Sequence, residues 1–147
     1  MECFIKRWKL YLIIFLLILS VISLNPCPSL AQTPTIEEIL SLPEEKIDIA
    51  QAALVIAKGI YFKINIEKYL KQIDSMADSL RERINKQSPR RAIQIINNYL
   101  FIEAGFVDTD NEWRTFFLNR VIDEKKGSCL GLSILYLCLA QRLNLPV

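Results

Sequence analysis

The strongest periodic pattern of the chain lies in residues 65–84, where apolar residues recur at every third or fourth position. This spacing predicts a helix with one continuous apolar stripe and a charged opposite face. Asn65 is a suitable N-cap for that helix. The apolar positions that form the stripe are Ile66, Tyr69, Leu70, Ile73, Met76, Ala77, Leu80 and Ile84.

Two helices are predicted before this one. Residues 35–42 predict a short helix, because they begin with the capping-box sequence T-I-E-E. In a capping box, the side chains of the first and the fourth residue each accept the backbone N–H of the other. Pro43 suits the first turn of a second helix. That helix is expected to run to about Lys58 and to stop at Gly59.

Two more helices are predicted after it. Ser88 and Pro89 provide an N-cap and a first-turn proline for a helix that is expected to end at Gly105. The Asp-Thr-Asp-Asn run within residues 107–111 is typical of a turn, because these side chains hydrogen-bond to their own backbone. The next apolar residues predict a short helix that ends at Gly127, and they are Phe116, Phe117, Val121 and Ile122.

The last predicted helix is the most apolar one. Ser128 caps it, and residues 129–143 are apolar nearly all round, which predicts a helix buried against several neighbours. Residues 144–147 then leave it in an extended direction that is typical of the start of a strand. Taken together, these patterns predict a mainly α-helical fold class.

The first residues have the organisation of an export signal. Residues 10–24 form a charge-free apolar run of about fifteen residues, which is short for a membrane span and typical of a signal peptide. The small residues Ser29 and Ala31 predict a cleavage site, so that residues 1–31 are a signal peptide and residues 32–147 are one exported domain, periplasmic or extracellular. The alternative is that residues 10–24 remain and anchor the chain in a membrane.

Removal of that segment leaves a domain without net charge. The segment contains three basic residues and one acidic residue, which account for the whole formal excess of +2. The remaining Lys and Arg residues are interleaved with Asp and Glu, as on a solvated helical surface. The sequence therefore predicts no binding to nucleic acid, and contact with a membrane only through the signal segment. No metal site and no cofactor are predicted.

Two of the four cysteines, Cys129 and Cys138, belong to the predicted domain, and both fall on its last helix. Because a helix rises about 1.5 Å and turns about 100° per residue, the two thiols are expected roughly 13 Å apart on opposite sides, beyond the reach of a disulfide. Cys138 lies between Leu137 and Leu139 and is predicted to be a small hydrophobic residue of the core.

Cys129 is expected at the first helical position, where unpaired amides and the helix dipole favour a thiolate. Gly127, Ser128 and Gly131 surround it, so a substrate is expected to approach the backbone there, and the amides are expected to stabilise an oxyanion. This arrangement predicts that Cys129 is a nucleophile. The alternative is structural, because small apolar residues are also common at the buried start of a helix.

Several segments resemble the transglutaminase-like superfamily. FFLNRVIDEKKGSCLGLSILYLCLAQRLNLPV, residues 116–147, is similar to the start of its core, in which a G-x-C followed by a long apolar helix carries the nucleophilic cysteine. Three earlier segments are similar to the helices that precede the core in its SirB-type branch. They are IDIAQAALVIAKGIY, IEKYLKQIDSMADSLRERI and IINNYLFIEAGF.

The resemblance implies a papain-like α+β fold with a thiol site. Cys129 is then the nucleophile, a histidine on a following strand is the general base, and an acidic or amide residue orients that histidine. Members of the superfamily act on peptide or protein substrates as peptidases, amide hydrolases or acyl-transfer crosslinkers. Some SirB-type members lack the cysteine.

The sequence departs from that pattern because it contains no histidine, and it stops where the sheet of that fold is expected to begin. Asp123 and Glu124 are expected on the solvated face of the preceding helix. Lys125 and Lys126 are expected at the end of that helix, where their positive charges compensate the helix dipole. We therefore expect a truncated N-terminal fragment of an exported cysteine hydrolase or acyltransferase, inactive by itself. Because no sheet would cover the apolar face of its last helix, we expect this fragment to aggregate or to form oligomers. The alternative is a non-catalytic helical interaction module of the cell envelope, with Cys129 buried.

Overall fold

The computed structural model of the chain describes residues 34–85, 87–109 and 112–146. These residues are mainly helical, as the sequence patterns predict. A π-helical turn, Tyr99–Glu103, extends the fourth helix, and two 3₁₀ turns occupy Glu44–Lys46 and Trp113–Phe116. The α-helices of the described segments are α1 (Ile36–Leu40), α2 (Ile49–Ile60), α3 (Ile66–Ile84), α4 (Pro89–Asn98), α5 (Leu118–Glu124) and α6 (Cys129–Arg142).

The predicted helix starts that depend on local caps are confirmed. The backbone N–H of Thr35 donates to Glu38 Oε2 over 2.8 Å, and the backbone N–H of Glu38 donates to Thr35 Oγ1 over 3.3 Å, which completes the capping box. Asn65 Oδ1 accepts the backbone N–H of Lys68 over 3.1 Å. Ser88 and Ser128 cap α4 and α6 in the same way.

The predicted limits of α2 are wrong. Pro43 precedes the 3₁₀ turn Glu44–Lys46, and α2 begins only after Asp48, whose side chain accepts the backbone N–H of Gln51 over 3.0 Å. A distant residue helps to fix this start, because the side chain of Gln141 donates to the Ile47 carbonyl over 2.7 Å and accepts the Ile49 N–H over 3.0 Å. At its other end, α2 continues through Gly59 to Ile60.

The predicted turn in residues 107–111 contains a short strand instead. Val107–Asp108 (β1) pairs in parallel with Lys126–Gly127 (β2). The N–H of Val107 donates to the Lys125 carbonyl and the N–H of Thr109 donates to the Gly127 carbonyl, both over 3.0 Å. This pairing also shortens α5, which ends at Glu124 rather than Gly127, because Lys125 adopts a left-handed conformation with φ of 52°.

The core forms where α6 packs against α2, α3 and α5. Leu135, Cys138 and Leu139 of α6 are completely buried, which confirms that this helix is buried against several neighbours. Two of its leucines nevertheless remain accessible, Leu130 at 54% and Leu137 at 39%. The core therefore covers most, but not all, of the apolar surface of α6.

Polar contacts hold the far end of α6. The guanidinium of Arg142 donates to Asp48 of the α2 cap and to Asp74 of α3, each over 2.7 Å. Beyond the helix, the N–H of Leu145 donates to the Ala140 carbonyl over 3.0 Å, and Asn144 has a positive φ of 54°. Asn144 and Leu145 thus close the helix end, whereas the sequence pattern predicts the start of a strand there.

The predicted signal peptide, its cleavage site after Ala31 and the alternative anchor at residues 10–24 lie outside the described residues. Within the described segments, no helix has both the length and the apolarity that crossing a bilayer demands.

Candidate functional site

Cys129 lies at the first residue of α6, immediately after the cap residue Ser128, and it is exposed. The Ser128 hydroxyl oxygen accepts the backbone N–H of Gly131 over 3.3 Å, which fixes the first turn of the helix. The interpretation of Cys129 as a buried structural residue is therefore wrong. An exposed thiol at a capped helix start is accessible to a reagent or a substrate.

Two backbone amides beside this thiol are free of any hydrogen bond to the residues that the structure describes. The N–H of Ser128 donates to the Thr115 carbonyl over 3.3 Å, and the N–H of Gly131 donates to Ser128. Among the described residues, however, the amides of Cys129 and Leu130 have no acceptor. These two are the candidate oxyanion donors in place of those of Ser128 and Gly131. The sequence is sufficient to predict these two open amides. A serine cap whose side chain accepts the third amide of a helix leaves the first two amides without an acceptor in the helix.

Both glycines near Cys129 have a packing reason to be glycine. A Cβ atom on Gly131 would overlap the carbonyl oxygen of Thr115, and one on Gly127 would lie 2.9 Å from Cγ of Leu132. Thr115 is itself buried, with 2% of its surface exposed. The close contact between the start of α6 and the Trp113–Phe116 turn thus explains why residue 131 is a glycine. The approach of a substrate to the backbone at Gly127 and Gly131 stays a prediction.

Cys129 lines a groove of about 480 Å³ on the surface of the domain. Side chains from α4, its π-helical extension, β1 and α6 enclose it. Asp108 and Asn97 are not predictable from the sequence as residues of this groove, because their position depends on the β1–β2 pairing and on the packing of α4. The residues that line the groove are Asn97, Phe101, Asp108, Cys129, Leu132, Ser133, Tyr136 and Leu137.

Tyr136 contributes an aromatic ring to this groove. Its hydroxyl oxygen is buried and has no hydrogen-bond partner among the described residues, and burial raises the pKa of Tyr136 above its usual value. Tyr136 is therefore neutral at physiological pH and adds no charge to the groove.

The charged residues before Cys129 have other partners. Asp123 accepts a hydrogen bond of 2.6 Å from the Tyr69 hydroxyl, and Glu124 pairs with Arg120. Lys125 donates to the Ala104 carbonyl over 2.9 Å. None of these residues, nor Lys126, lines the groove. The contacts of Asp123 and Lys125 reach neighbouring segments, and that of Glu124 stays within α5, so a role in the chemistry of Cys129 gains no support.

Cys138 is a core residue, as predicted. Its exposed fraction is 0%, and burial, together with the negative charge of Asp48, raises the pKa of its thiol from 9.0 to about 12. Cys138 is thus a neutral, inaccessible thiol on the same helix as Cys129, which makes it an internal control for chemical labelling.

The free energy of unfolding is expected to fall as pH rises from 9.0 to about 12, because the Cys138 thiol ionises in this range only in the unfolded chain. The contribution is complete below pH 9 and is lost as pH approaches the folded-state value. Tyr69, whose pKa is raised from 10.0 to about 12 by burial and by its bond to Asp123, adds to the fall above pH 10.

Urea unfolding at a series of pH values measures this dependence. Between pH 9 and 10, the Cys138→Ala variant is expected to show a shallower decline than the wild type, whatever its absolute stability. Equal slopes for the two proteins would contradict the expected ionisation of Cys138.

Within the described residues, no three His, Cys, Asp or Glu side chains are grouped so that they could hold a metal ion. The candidate site therefore consists of a thiol, two open amides and the groove.

Residues 67–147 match the family model described as the transglutaminase-like superfamily. The UPF0162 proteins of Xylella fastidiosa strains Temecula1 and 9a5c are each 24% identical to the chain over 119 residues, which cover 78% of this chain and 42% of theirs. The chain thus spans less than half the length of these curated relatives. No solved structure matches it.

Proposed function

Because the chain belongs to the transglutaminase-like superfamily, we propose that Cys129 is the nucleophile of a thiol site for amide hydrolysis or acyl transfer. The observation that carries the proposal is the exposed Cys129 thiol at the start of α6, next to a groove and to two amides that have no acceptor in the described segments. The substrate class is a peptide or protein that carries an amide.

The geometry supports a defined first step. The Cys129 thiolate attacks the carbonyl carbon of the amide, and the oxygen of that carbonyl takes up the negative charge. The N–H groups of Cys129 and Leu130 are the available donors to this oxyanion. Collapse of the intermediate breaks the C–N bond, the amine leaves with a proton, and the acyl group stays on sulfur until water or another amine accepts it.

Such a reaction needs a group that removes the proton from the thiol and returns it to the leaving amine. The sequence contains no histidine, the side chain that most often serves as this group. We therefore expect the 147-residue chain by itself to be inactive, with the general base supplied by a longer form of the protein.

Two finer parts of the proposal rest on the sequence. The three helical segments quoted above favour the SirB-type branch of the superfamily. The basic and apolar N-terminal residues favour export with cleavage after Ala31, or else a membrane anchor at residues 10–24. Sequencing the N-terminus of the protein recovered from its producing cells, together with its fractionation, distinguishes the cleaved from the anchored form.

Alkylation by iodoacetamide is expected to modify Cys129 at least about 100-fold faster than Cys138, because the buried thiol reacts only when the fold opens. Peptide mass spectrometry over a time course measures both rates in one sample. The Cys129→Ser variant is the matched control and is expected to lose the fast modification alone. A Cys129 that reacts as slowly as Cys138 would contradict the proposed nucleophile.

Incorporation of a fluorescent primary amine into a glutamine-containing peptide, and hydrolysis of the same peptide, test the expected inactivity. Neither product is expected from the 147-residue chain. Turnover that disappears in Cys129→Ser would show that the chain contains its own general base.

A non-catalytic interaction module is the second candidate, and one feature favours it. An almost wholly apolar groove of about 430 Å³ lies between α2 and α6, on the side of Leu130 and Ile134. Ile56 and Phe116 at its edge are about half exposed, at 53% and 45%. Slow labelling of Cys129 would favour this candidate over the enzyme.

A further inference from the structure

One wall of the groove beside Cys129 comes from a single stretch of the chain. Asn97 and Phe101 line the groove from α4 and its π-helical extension, and Asp108 lines it from β1. These three residues form the wall that faces the α6 residues of the groove. The π-helical turn Tyr99–Glu103 lies within this stretch, so a shift of the turn would move the wall relative to the thiol.

The backbone of the π-helical turn departs from the α-helical hydrogen-bond pattern. The N–H of Ala104 donates to the Tyr99 carbonyl over 2.7 Å, and the N–H of Phe106 donates to the Leu100 carbonyl over 2.9 Å. Both bonds span more residues than those of an α-helix. Single π-helical turns of this kind are rare and are frequent at functional sites. Because the regular pattern is interrupted here, contacts from other segments are expected to fix the turn.

Arg83 of α3 makes such a contact at the end of the turn. Its two terminal nitrogens donate to the two carboxylate oxygens of Glu103, each over 2.8 Å, and Asn98 donates to the same carboxylate over 2.7 Å. The hydrogen bonds from Arg83 lower the pKa of Glu103, so its carboxylate is ionised at physiological pH. A bidentate pair of this kind fixes the orientation of the carboxylate as well as its distance.

Lys125 holds the residue that follows the turn. Its ammonium group donates to the Ala104 carbonyl over 2.9 Å, and its own carbonyl accepts the N–H of Val107 over 3.0 Å. Phe106 lies between these two residues and is buried, with 2% of its surface exposed. The end of the turn is thus connected to β1, and β2, the partner of β1, leads directly into the cap of α6.

We propose that Arg83 is a positioning residue of the Cys129 site, which acts through Glu103 to keep the π-helical turn, and with it the wall of the groove, in place. The inference rests on the proposed function, because a fixed wall has a use only if a substrate reaches the thiol. Arg83 does not itself line the groove, so its effect on Cys129 is indirect.

Hydrogen exchange followed by NMR tests whether Arg83 fixes the turn. In Arg83→Ala, the amides of Ala104 and Phe106 are expected to exchange roughly fivefold faster than in the wild type, which is the upper range for an exposed ion pair. Amides in the middle of α3 and α6 are expected to keep their rates, because the change opens the turn locally. Equal acceleration of all these amides would overturn the inference.

Arg81→Ala is the matched control. It removes an arginine from the preceding turn of the same helix, where Arg81 pairs with Asp78 over 3.2 Å and contacts no residue of the π-helical turn through that pair. The amides of Ala104 and Phe106 are expected to exchange in this variant as in the wild type. Acceleration as large as that in Arg83→Ala would contradict a specific role of Arg83.

A fluorine label on Cys129 tests whether the wall moves. The thiolate sulfur displaces bromide from bromotrifluoroacetone, so that a trifluoromethyl group becomes attached beside the wall, while the buried Cys138 stays unlabelled. The fluorine resonance is expected at the same position in the wild type and in Arg81→Ala. In Arg83→Ala it is expected to shift or to broaden, and in Arg83→Lys, which keeps the charge without the bidentate geometry, to change less.

A double variant distinguishes action through Glu103 from a general effect of losing Arg83. Glu103→Ala is expected to give the same fluorine change and the same exchange rates as Arg83→Ala. The combined Arg83→Ala and Glu103→Ala variant is expected to add nothing to either single change, because both remove one interaction. Additive changes, or an unchanged fluorine resonance in Arg83→Ala, would overturn the inference.

These results separate the inference from the function on which it rests. A Cys129 that does not react with the label contradicts the proposed nucleophile, and hydrogen exchange at Ala104 and Phe106 then decides whether Arg83 fixes the turn. A reactive Cys129 whose fluorine resonance is the same in the wild type and in Arg83→Ala contradicts the role of Arg83 alone.

Discussion

Replacing Gly131 with alanine is expected to lower the free energy of unfolding by about 3 kcal/mol or more, or to prevent folding. The new Cβ atom would overlap the Thr115 carbonyl oxygen and lie 2.8 Å from Cγ2 of Val121. Thr115 cannot yield easily, because its carbonyl also accepts the N–H of Ser128. Urea unfolding followed by circular dichroism measures the loss.

Gly59→Ala is the control for this substitution. Gly59 lies within α2, and a Cβ atom there meets nothing within 4 Å. Alanine is expected to leave the stability unchanged or to raise it by about 0.5–1 kcal/mol, because it restricts the unfolded chain and favours the helix. If Gly131→Ala is as stable as Gly59→Ala, the close packing of α6 on Thr115 is wrong.

Leu135→Ala is the second substitution with a large expected effect, a loss of about 2–5 kcal/mol. Leu135 is completely buried in α6, so truncation removes apolar contacts and leaves a cavity. Thermal or urea unfolding measures the loss, and the far-ultraviolet spectrum checks that the helices remain.

Leu137→Ala makes the same chemical change on the same helix, at a position that is 39% exposed. It is expected to cost less than about 1 kcal/mol, because water already reaches this side chain. Equal losses at residues 135 and 137 would mean that α6 does not bury the face described above.

Local signals were sufficient to predict much of the fold. Asn65, Ser88 and Ser128 are followed by helices because each side chain satisfies an amide only three residues away. The start of α2 is not predictable in this way. Both Pro43 and Asp48 are residues that suit a helix start, and the hydrogen bonds that help to fix the start after Asp48 come from Gln141, far along the sequence. Where a distant side chain decides a boundary, propensity and spacing are insufficient.

Some residues of the candidate site are predictable from the sequence, and others depend on contacts between distant segments. Cys129 and its cap are visible in the sequence because they form one continuous segment. Asp108 is not, since it reaches the groove only through a parallel pairing of two-residue strands that have no periodic pattern. Thr115 is equally hidden, because the contact that matters is made by its carbonyl, which every residue possesses.

That carbonyl has a consequence for how this protein can evolve. It accepts the Ser128 N–H over 3.3 Å and also occupies the space next to Gly131. The Trp113–Phe116 turn therefore fixes the position of the first turn of α6. A mutation that shifts the backbone of this turn would displace the thiol without touching it. Substitutions in the turn and at the helix start are therefore expected to be non-additive in their effect on stability, so that a change in one is tolerated best with a matching change in the other.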